Sequence, residues 1–281
     1  FFHYFAGEVH RQIDDRTDSV RPGIEVDTRR EPVGVVAVIS PWNFPMATAV
    51  WKIAPALAFG NSVVFKPANL VPASAWALTE IISRQSALPA GTFNLVMGSG
   101  STVGDAIINS DKIHAVSFTG SLPVGREVAK ATAANLVKCQ LEMGSKNALI
   151  VAADADLDVA VNAAFVGAYS GTGQKCTASS RLIVDEAIHD QFVDKLVAKL
   201  RSTTVGHALA EGVDMGPVAS RQQLDENLAW IEDGLSEGAN LVFGGKPIQT
   251  STEGYFMEPA LFIDTTNNMR INRAELFAPI A

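Results

Sequence analysis

The stretch Gly34-Val-Val-Ala-Val-Ile-Ser40, followed at once by Pro41-Trp42-Asn43-Phe44-Pro45, decides the fold. Its apolar run is short and bounded by prolines, which is typical of a strand buried in a parallel sheet. Residues 46–59 then carry helical spacing, and Ser62-Val-Val-Phe-Lys66 is a second apolar run. A strand, a helix and a strand in this order predict parallel strands joined by a helical crossover.

The same alternation continues along the chain. Further helices are predicted at 1–12, 72–86, 102–109, 123–134, 156–169 and 187–203, and further strands at 93–97, 115–118, 138–142, 147–151 and 181–185. Residues 14–32 are charged and contain Arg21-Pro-Gly, which suits an exposed hairpin. The pattern predicts an α/β fold with a parallel sheet covered on both faces, and a domain boundary near Gly144.

Composition narrows the class of protein. The 281 residues include 22 Lys and Arg against 30 Asp and Glu, a formal net charge of −8, and no long basic patch. This balance argues against nucleic acid or a membrane surface as a partner. The two cysteines, Cys139 and Cys176, do not make a disulfide framework, so we expect a reducing, cytoplasmic compartment. Cys139 lies in an apolar strand pattern and is predicted to be buried in the core.

Cys176 lies in the stretch Ser170-Gly-Thr-Gly-Gln-Lys-Cys176-Thr-Ala-Ser-Ser-Arg181. Small residues allow the backbone and a ligand to approach closely, which favours a reachable thiol. Lys175 and Arg181 are near enough in sequence to favour the nucleophilic thiolate. The alternative is that Cys176 is a small buried hydrophobic residue, and the local pattern leaves both interpretations open.

Three polar residues end or follow predicted parallel strands, where open α/β sheets bind ligands. Asn43 could donate its amide to an oxyanion, or it could serve only turn geometry. Lys66 could reach a ribose or phosphate, or be a solvated lysine. Glu142 could be a general base, or a surface carboxylate. The five histidines are scattered without metal-ligand spacing, so no metal is expected.

Two turns between a strand and a helix could hold a phosphate. Gly98-Ser-Gly100-Ser-Thr-Val-Gly104 resembles a dinucleotide fingerprint but has one residue too many, so a plain glycine-rich turn is the alternative. Phe118-Thr-Gly120-Ser121-Leu-Pro-Val124 leads into a helix whose free N–H groups could bind an anion. There the alternative is a helix capped by Ser121.

Taken together, the motifs resemble the aldehyde dehydrogenase superfamily. They occur in that family's order as Pro41-Trp-Asn-Phe-Pro45, Lys66-Pro-Ala, Phe118-Thr-Gly-Ser, Leu141-Glu-Met-Gly, Gly173-Gln-Lys-Cys and Glu275-Leu-Phe277. The resemblance covers the chain from end to end. The stretch Phe65–Trp76 is most similar to the branch that oxidises semialdehydes with a distal carboxylate, such as the 2-oxoglutaric semialdehyde dehydrogenases.

The resemblance implies a role for each motif residue. Cys176 would attack the aldehyde carbon, the Asn43 amide and the Cys176 N–H would hold the oxyanion, Glu142 would activate water, and Lys52 would belong to a proton path. The residues that would bind NAD or NADP are Ser40, Pro41, Trp42, Lys66, Asn69, Gly100, Gly104, Phe118, Gly120, Ser121, Val124, Glu275 and Phe277. By the same resemblance, residues 1–13 and 33–143 would belong to the cofactor domain and residues 144–281 to the catalytic domain. Residues 14–32 would be the oligomerisation hairpin of a homodimer or homotetramer.

The chain departs from the family pattern at three positions: Asn69, where Glu is frequent, and Ser145 and Ala278, where Gly is frequent. Family members are also longer, so we expect both domains to be partial and the chain to be an internal fragment, inactive when expressed alone. Two other functions remain open: a thiol esterase or acyl transferase without redox chemistry, and a non-catalytic relative. The presence of both Cys176 and Glu142 argues against the second.

Overall fold

The apolar runs of the first half of the chain form one parallel sheet. In the computed structural model, which describes residues 1–85 and 87–281, the chain divides into two units, Phe1–Met143 and Gly144–Ala281. In chain order the first unit contains α1 (Phe2–Val9), β1 (Asp15–Asp18), β2 (Glu25–Thr28), β3 (Val35–Ile39), α2 (Ala47–Ala58), β4 (Ser62–Lys66), α3 (Pro72–Ser83), β5 (Phe93–Leu95), a π-helical turn (Gly100–Gly104), α4 (Asp105–Ile108), β6 (Ala115–Gly120), α5 (Leu122–Ala134) and β7 (Lys138–Met143).

The sheet has the order β5-β4-β3-β6-β7, and every neighbouring pair is parallel. The chain builds outward from β3 to β5, then returns to the other side of β3 to add β6 and β7. The order therefore reverses between β3 and β6, and the carboxyl ends of these two strands form the place where open α/β sheets bind ligands. The loop after Ile39 and the residues from Phe118 onward lie there.

Around β3 both faces of this sheet are buried, because alternate residues of the strand point to opposite sides. Val36 and Val38 pack with α2 and α3 in one core cluster. Ala37, between them, packs with α4 and α5 in a second cluster that includes Val116 and Val128. The α/β architecture with a doubly covered parallel sheet is confirmed.

Most predicted elements are present, with shifted ends. The strand predicted at 62–66 is β4, residue for residue, whereas the helix predicted at 1–12 stops at Val9 and the strand predicted at 93–97 stops at Leu95. The helix predicted at 72–86 ends at Ser83, and the predicted end, Ser86, lies outside the described residues. The helix predicted at 102–109 is instead a π-helical turn followed by the short α4.

The prediction that Cys139 is a core residue is wrong. Its side chain is exposed. β7 is the outermost strand of the described sheet and pairs only with β6, so one strand edge and part of one face lack a neighbour. An apolar pattern marks a strand but does not say how deep in a sheet the strand lies.

The second unit combines a parallel strand pair with antiparallel pairs. In chain order it contains β8 (Asn147–Val151), α6 (Leu157–Tyr169), a 3₁₀ turn (Ser170–Gly173), β9 (Ser179–Val184), a 3₁₀ turn (Glu186–Ile188), α7 (His189–Arg201), α8 (Arg221–Ser236), β10 (Asn240–Phe243), β11 (Pro247–Ile248), β12 (Phe256–Met257), β13 (Leu261–Ile263) and α9 (Arg270–Arg273). β8 pairs with β9 in parallel, whereas β10–β13 and β11–β12 are antiparallel. Tyr169, Phe192 and Leu196 are central to the core that α6 and α7 form against this strand pair.

Candidate active site

At the point where the strand order reverses, two hydroxyl groups are buried without a partner. Ser40 follows β3 and is 4% exposed, and Thr119 is the residue before the end of the strand β6. Among the described residues neither Ser40 Oγ nor Thr119 Oγ1 has a hydrogen-bond partner. Because buried polar groups are normally satisfied, these two oxygens are candidate contacts for a polar ligand. Pro41, Trp42 and Asn43 follow Ser40 and are half-buried in the loop to α2.

Lys66 is not the solvated lysine of the alternative interpretation, because it is only 5% exposed. Its ammonium donates to the carbonyl of Pro67 at 3.1 Å, and burial lowers the pKa of Lys66. A side chain added at Gly104 would meet the aliphatic stem of Lys66 at 3.8 Å, so the predicted cofactor residues Lys66 and Gly104 lie together. Beside them is a cavity of about 260 Å³. Its lining residues are Pro67, Ala68, Asn69, Pro72, Met97 and Gly98.

The two turns considered as phosphate sites differ in their caps. Ser99 Oγ accepts a hydrogen bond from the Thr102 N–H, so the turn that contains Gly100 is closed by a side chain. Ser121 occupies the N-cap position of α5, but its side chain makes no capping bond within the described residues. The start of α5 therefore keeps backbone N–H groups available for an anion. Val124 is exposed in its first turn.

Phe118 and Gly120 form a packed pair at the end of β6. The Phe118 side chain is 3% exposed, and a side chain at Gly120 would collide with its ring at 2.6 Å. Glycine is needed at position 120 because the ring covers the backbone there. With its ring in the core, Phe118 can offer a ligand only its backbone.

Lys52 and Glu142 are joined through a residue that the motifs do not indicate. Lys52 Nζ donates to Gln140 Oε1 at 3.0 Å, and Gln140 Nε2 donates to Glu142 Oε1 at 2.7 Å. Lys52 is 5% exposed, and its burial lowers its pKa to about 8 although the negative charge of Glu142 acts in the opposite direction. Glu142 itself is exposed. The first unit thus holds a carboxylate, an amide and a buried amine in one hydrogen-bonded row.

Because the pKa of Lys52 is lower in the folded chain than in the unfolded chain, its charge opposes folding. The cost is fully present below pH 8 and disappears as the pH rises from about 8 towards the unfolded value of 10.5. We therefore expect Lys52→Met to raise the free energy of unfolding at pH 7 by about 2 kcal/mol, and by clearly less at pH 9.5. Urea unfolding at both pH values measures this. The control is Lys112→Met at a lysine that is 82% exposed, and an equal gain in both variants would contradict the expectation.

In the second unit, Cys176 is half-buried in the turn between the 3₁₀ segment and β9. The Asn147 side chain, at the start of β8, donates to the carbonyl oxygens of Cys176 at 2.8 Å and Ala178 at 3.2 Å. The Lys175 ammonium donates to the Val166 carbonyl at 3.1 Å and to the Ser170 hydroxyl at 2.7 Å. Asn147 therefore ties the cysteine turn to the first strand of the unit, while Lys175 ties it to the end of α6.

The backbone before this turn, and that of Phe277 further along the chain, adopts left-handed conformations. Thr172 has φ 57° and Phe277 has φ 56°, which is uncommon outside glycine. Gly173 has φ 64°, and a side chain there would collide with the carbonyl group of Ala278. The cysteine turn and the predicted cofactor residue Phe277 therefore belong to one tightly packed region. Ala278, where the family often has glycine, is buried there without a positive φ.

Glu275 lies in a cluster of charged side chains in the second unit. Burial raises the pKa of Glu275, while the N–H of Ser145 and the charge of Lys146 act in the opposite direction. Burial first, and then the charge of Arg181, lowers the pKa of Lys146 to about 8. A side chain at Gly144 would displace the Glu275 carboxylate from its present position, and Ser145 contributes its backbone N–H to that carboxylate. Within the described residues Glu275 Oε1 and Lys146 Nζ lack hydrogen-bond partners.

Sequence reasoning missed Gln140, Asn147 and Lys146. A signal existed for Gln140, because it lies two residues before Glu142 on one strand and therefore on the same face. Asn147 and Lys146 carry no such signal. The Cys176 carbonyl, which accepts a hydrogen bond from Asn147, is 29 residues away in sequence. Glu275, whose charge acts on Lys146, is 129 residues away.

Neither a metal-binding cluster nor a membrane-spanning helix is present within the described ranges 1–85 and 87–281. No group of three or more His, Cys, Asp or Glu side chains there is arranged to hold a metal ion. No helix in the same ranges is both long and apolar enough to cross a membrane.

The described residues thus contain a parallel sheet with two unsatisfied hydroxyls at its reversal point and, in a second α/β unit, a turn with a half-buried cysteine. The chain belongs to the aldehyde dehydrogenase family, whose family model matches residues 1–281.

The relatives of the chain include members of the branch that oxidises semialdehydes. The chain is 46% identical over 281 residues to the alpha-ketoglutaric semialdehyde dehydrogenase of Bacillus subtilis (strain 168), and 44% identical over 279 residues to the 2,5-dioxopentanoate dehydrogenase of Saccharolobus solfataricus. These matches cover 99% and 98% of the chain but only 57% and 58% of the relatives. The similarity to semialdehyde dehydrogenases is confirmed, and the chain spans somewhat more than half the length of these relatives.

Solved structures agree with the fold. The NAD⁺ complex of betaine aldehyde dehydrogenase from Staphylococcus aureus superimposes with a TM-score of 0.96 at 36% identity. That match covers 99% of this chain and 55% of the other. The NAD⁺ complex of an aldehyde dehydrogenase from Bacillus cereus gives a TM-score of 0.93 at 36% identity and covers 99% and 56%.

Proposed function

We propose that the full-length protein containing this chain is an NAD(P)-dependent dehydrogenase that oxidises an aldehyde to a carboxylic acid through a thioester on Cys176. The observation that carries the proposal is the Cys176 turn. It combines a half-buried free thiol, a carbonyl anchored by Asn147 and a flanking left-handed backbone at Thr172. Strain and close packing of this kind occur where a fold must hold a reacting atom in place.

The proposed reaction begins with the thiol. The Cys176 sulfur attacks the aldehyde carbon and forms a thiohemiacetal, and we assign Asn43 and the Cys176 N–H to the resulting oxyanion. Asn147 holds the Cys176 carbonyl, in the peptide group that follows the cysteine, and so restrains the turn on that side of the residue. Loss of hydride from the thiohemiacetal carbon then leaves a thioester.

NAD or NADP, when bound, supplies the hydride acceptor. Within the described residues Ser40 Oγ and Thr119 Oγ1 are buried without partners and the start of α5 has no side-chain cap, which supports the fit of such a ligand to the first unit. Asn69 lines the cavity of about 260 Å³ and Lys66 directly precedes the lining residue Pro67, so we assign both to the adenosine end. The turn with Gly100 and Gly104 would lie along the phosphates. We assign Glu275 and Phe277 to the nicotinamide ribose and ring, since Glu275 Oε1 has no partner among the described residues.

Glu142 completes the cycle as the general base. Its carboxylate would take a proton from the water that hydrolyses the thioester, and the row through Gln140 would couple its charge to that of Lys52. With a pKa of about 8, Lys52 can change protonation near neutral pH, which an ordinary lysine cannot.

The names of the relatives support a semialdehyde that carries a distal carboxylate, such as 2-oxoglutaric semialdehyde, as the substrate class. The second candidate is a thiol esterase that uses Cys176 and Glu142 without redox chemistry. Incubating the full-length protein with a panel of aldehydes and either NAD or NADP, and separately with an activated ester, tests both functions. Growth of the absorbance of reduced nicotinamide supports the dehydrogenase, and ester hydrolysis without it supports the esterase.

Asn69 predicts the cofactor preference. A carboxylate at this position, frequent in the family, would repel the 2′-phosphate of NADP, whereas the Asn69 amide can donate to it and Lys66 adds positive charge. We expect the protein to use NADP alongside NAD, and Asn69→Glu to lower kcat/KM for NADP by about tenfold while changing that for NAD little. Kinetics with both cofactors measure this. Absence of turnover with NADP where NAD saturates would show that Asn69 does not decide the preference.

Two further assignments concern the assembly and the compartment. All eight residues of β1 and β2 are exposed, and their antiparallel pair leaves strand edges for another subunit. This favours the hairpin as the contact of a homodimer or homotetramer.

Both cysteines are free, which favours a reducing, cytoplasmic compartment.

A further inference from the structure

Gln140 lies at the centre of a hydrogen-bond cluster formed by two neighbouring strands and a helix. Lys52 Nζ from α2 and Ser117 Oγ from β6 both donate to Gln140 Oε1, at 3.0 and 2.5 Å. Gln140 Nε2 donates to Glu142 Oε1 at 2.7 Å. Gln140 and Glu142 are two residues apart on β7 and share one face of the strand.

These partners determine which way the amide points. The Lys52 ammonium can only donate, so the amide oxygen must face it. The amide NH₂ then has to face the other direction, where the Glu142 carboxylate can only accept. A flipped amide would place donor against donor at Lys52 and acceptor against acceptor at Glu142. Charge on both partners thus fixes the orientation of an uncharged residue between them.

We propose that Gln140 is a positioning residue that holds the Glu142 carboxylate in place for deacylation and links it to Lys52. This inference rests on the proposed function, since it concerns the role of Glu142 there.

Because Glu142 is exposed, its carboxylate needs a neighbouring group to keep it in one geometry. An exposed glutamate samples several side-chain rotamers and loses rotational freedom when it must keep one geometry. A charge-assisted hydrogen bond from a neighbour on the same strand face restricts these rotamers before the deacylation step. Ser117 supports the arrangement from the next strand, because its hydroxyl holds the Gln140 oxygen even when Lys52 loses its proton.

The cluster also connects Glu142 to the charge on Lys52. In the described part of the chain, Glu142 is the charged group whose field acts on Lys52. A carboxylate at position 140 would stand at hydrogen-bond distance from the Lys52 ammonium and raise the pKa of Lys52 above 8. An apolar side chain at position 140 would remove the acceptor and lower the pKa of Lys52. The two substitutions therefore move the same ionisation in opposite directions.

The test uses Gln140→Leu and Gln140→Glu in the full-length protein. Stopped-flow measurement of reduced nicotinamide separates the first turnover from the steady state. For Gln140→Leu we expect a first turnover within about twofold of the parent, a steady-state rate lower by about tenfold, and an acyl-enzyme visible by intact mass. Gln222→Leu is the matched control, because Gln222 is exposed and also donates to a carboxylate, that of Glu226. It should behave as the parent.

Gln140→Glu decides the question if the leucine variant does not fold. This near-isosteric change should move the alkaline limb of the pH–rate profile upward by about one unit, a result that a merely structural role would not produce. An unchanged pH profile together with an unchanged deacylation rate in a folded variant would overturn the role of Gln140. Absence of any first-turnover signal in the parent protein would instead overturn the proposed function.

Discussion

Replacing Cys176 by alanine is expected to abolish both NAD(P)-linked aldehyde oxidation and ester hydrolysis in the full-length protein, a loss on the order of 10⁴-fold or more. Both activities need the sulfur to form the acyl intermediate. The remaining parts of the site would still bind aldehyde and cofactor, so cofactor binding should persist. Steady-state assays with an aldehyde and with an activated ester measure the loss.

The chain offers a matched control for this experiment. Its other cysteine, Cys139, is exposed on β7, so Cys139→Ala removes the same group without touching the proposed chemistry. We expect that variant to keep activity within about twofold of the parent. Retained turnover in Cys176→Ala, or equal losses in both variants, would contradict a thiol mechanism at Cys176.

Glu142→Gln is expected to slow deacylation by about 10²- to 10⁴-fold while the first turnover continues, so that an acyl-enzyme accumulates. The amide keeps the shape of the side chain and can still accept the hydrogen bond from Gln140 Nε2, but it cannot take a proton from water. Intact mass after mixing with aldehyde and cofactor should show the added acyl group on the protein.

The control for Glu142→Gln is Glu127→Gln. Glu127 lies on α5 in an exposed ion pair with Lys130, so the same change there should leave deacylation unaltered. If Glu142→Gln turned over slowly without accumulating acyl-enzyme, the slowed step would precede thioester formation. That result would contradict the role of Glu142 in deacylation.

Local sequence patterns were sufficient for the strands and their order of connection. Gly34–Ser40 and Ser62–Lys66 became the neighbouring strands β3 and β4, because short β-branched runs between turns can bury both faces only in a covered sheet. The helix ends were less accurate. The turn at Gly100–Gly104 winds as a π-helix, which the helical spacing of the sequence does not indicate.

The motif residues were visible from the sequence, but their surroundings were not. Lys66 could equally be a solvated lysine by its local pattern, and only the packed structure places it in the interior. Cys139 is the opposite case, since its apolar neighbours predict burial while the position of β7 at the sheet edge exposes it. Burial depends on which strands become neighbours, a property of the whole sheet.

By itself, the sequence determined the α/β class, the strands that form the sheet and the residues that could carry the chemistry, because periodicity and motif order are local properties. Only the tertiary structure decided how those residues are supported. It brought Lys52, 88 residues away, to Gln140, and Asn147 to the Cys176 carbonyl, and it lowered the pKa of Lys52 to about 8 by burying it. Hydrogen bonds and desolvation act across space, and no local pattern records which distant residues they connect.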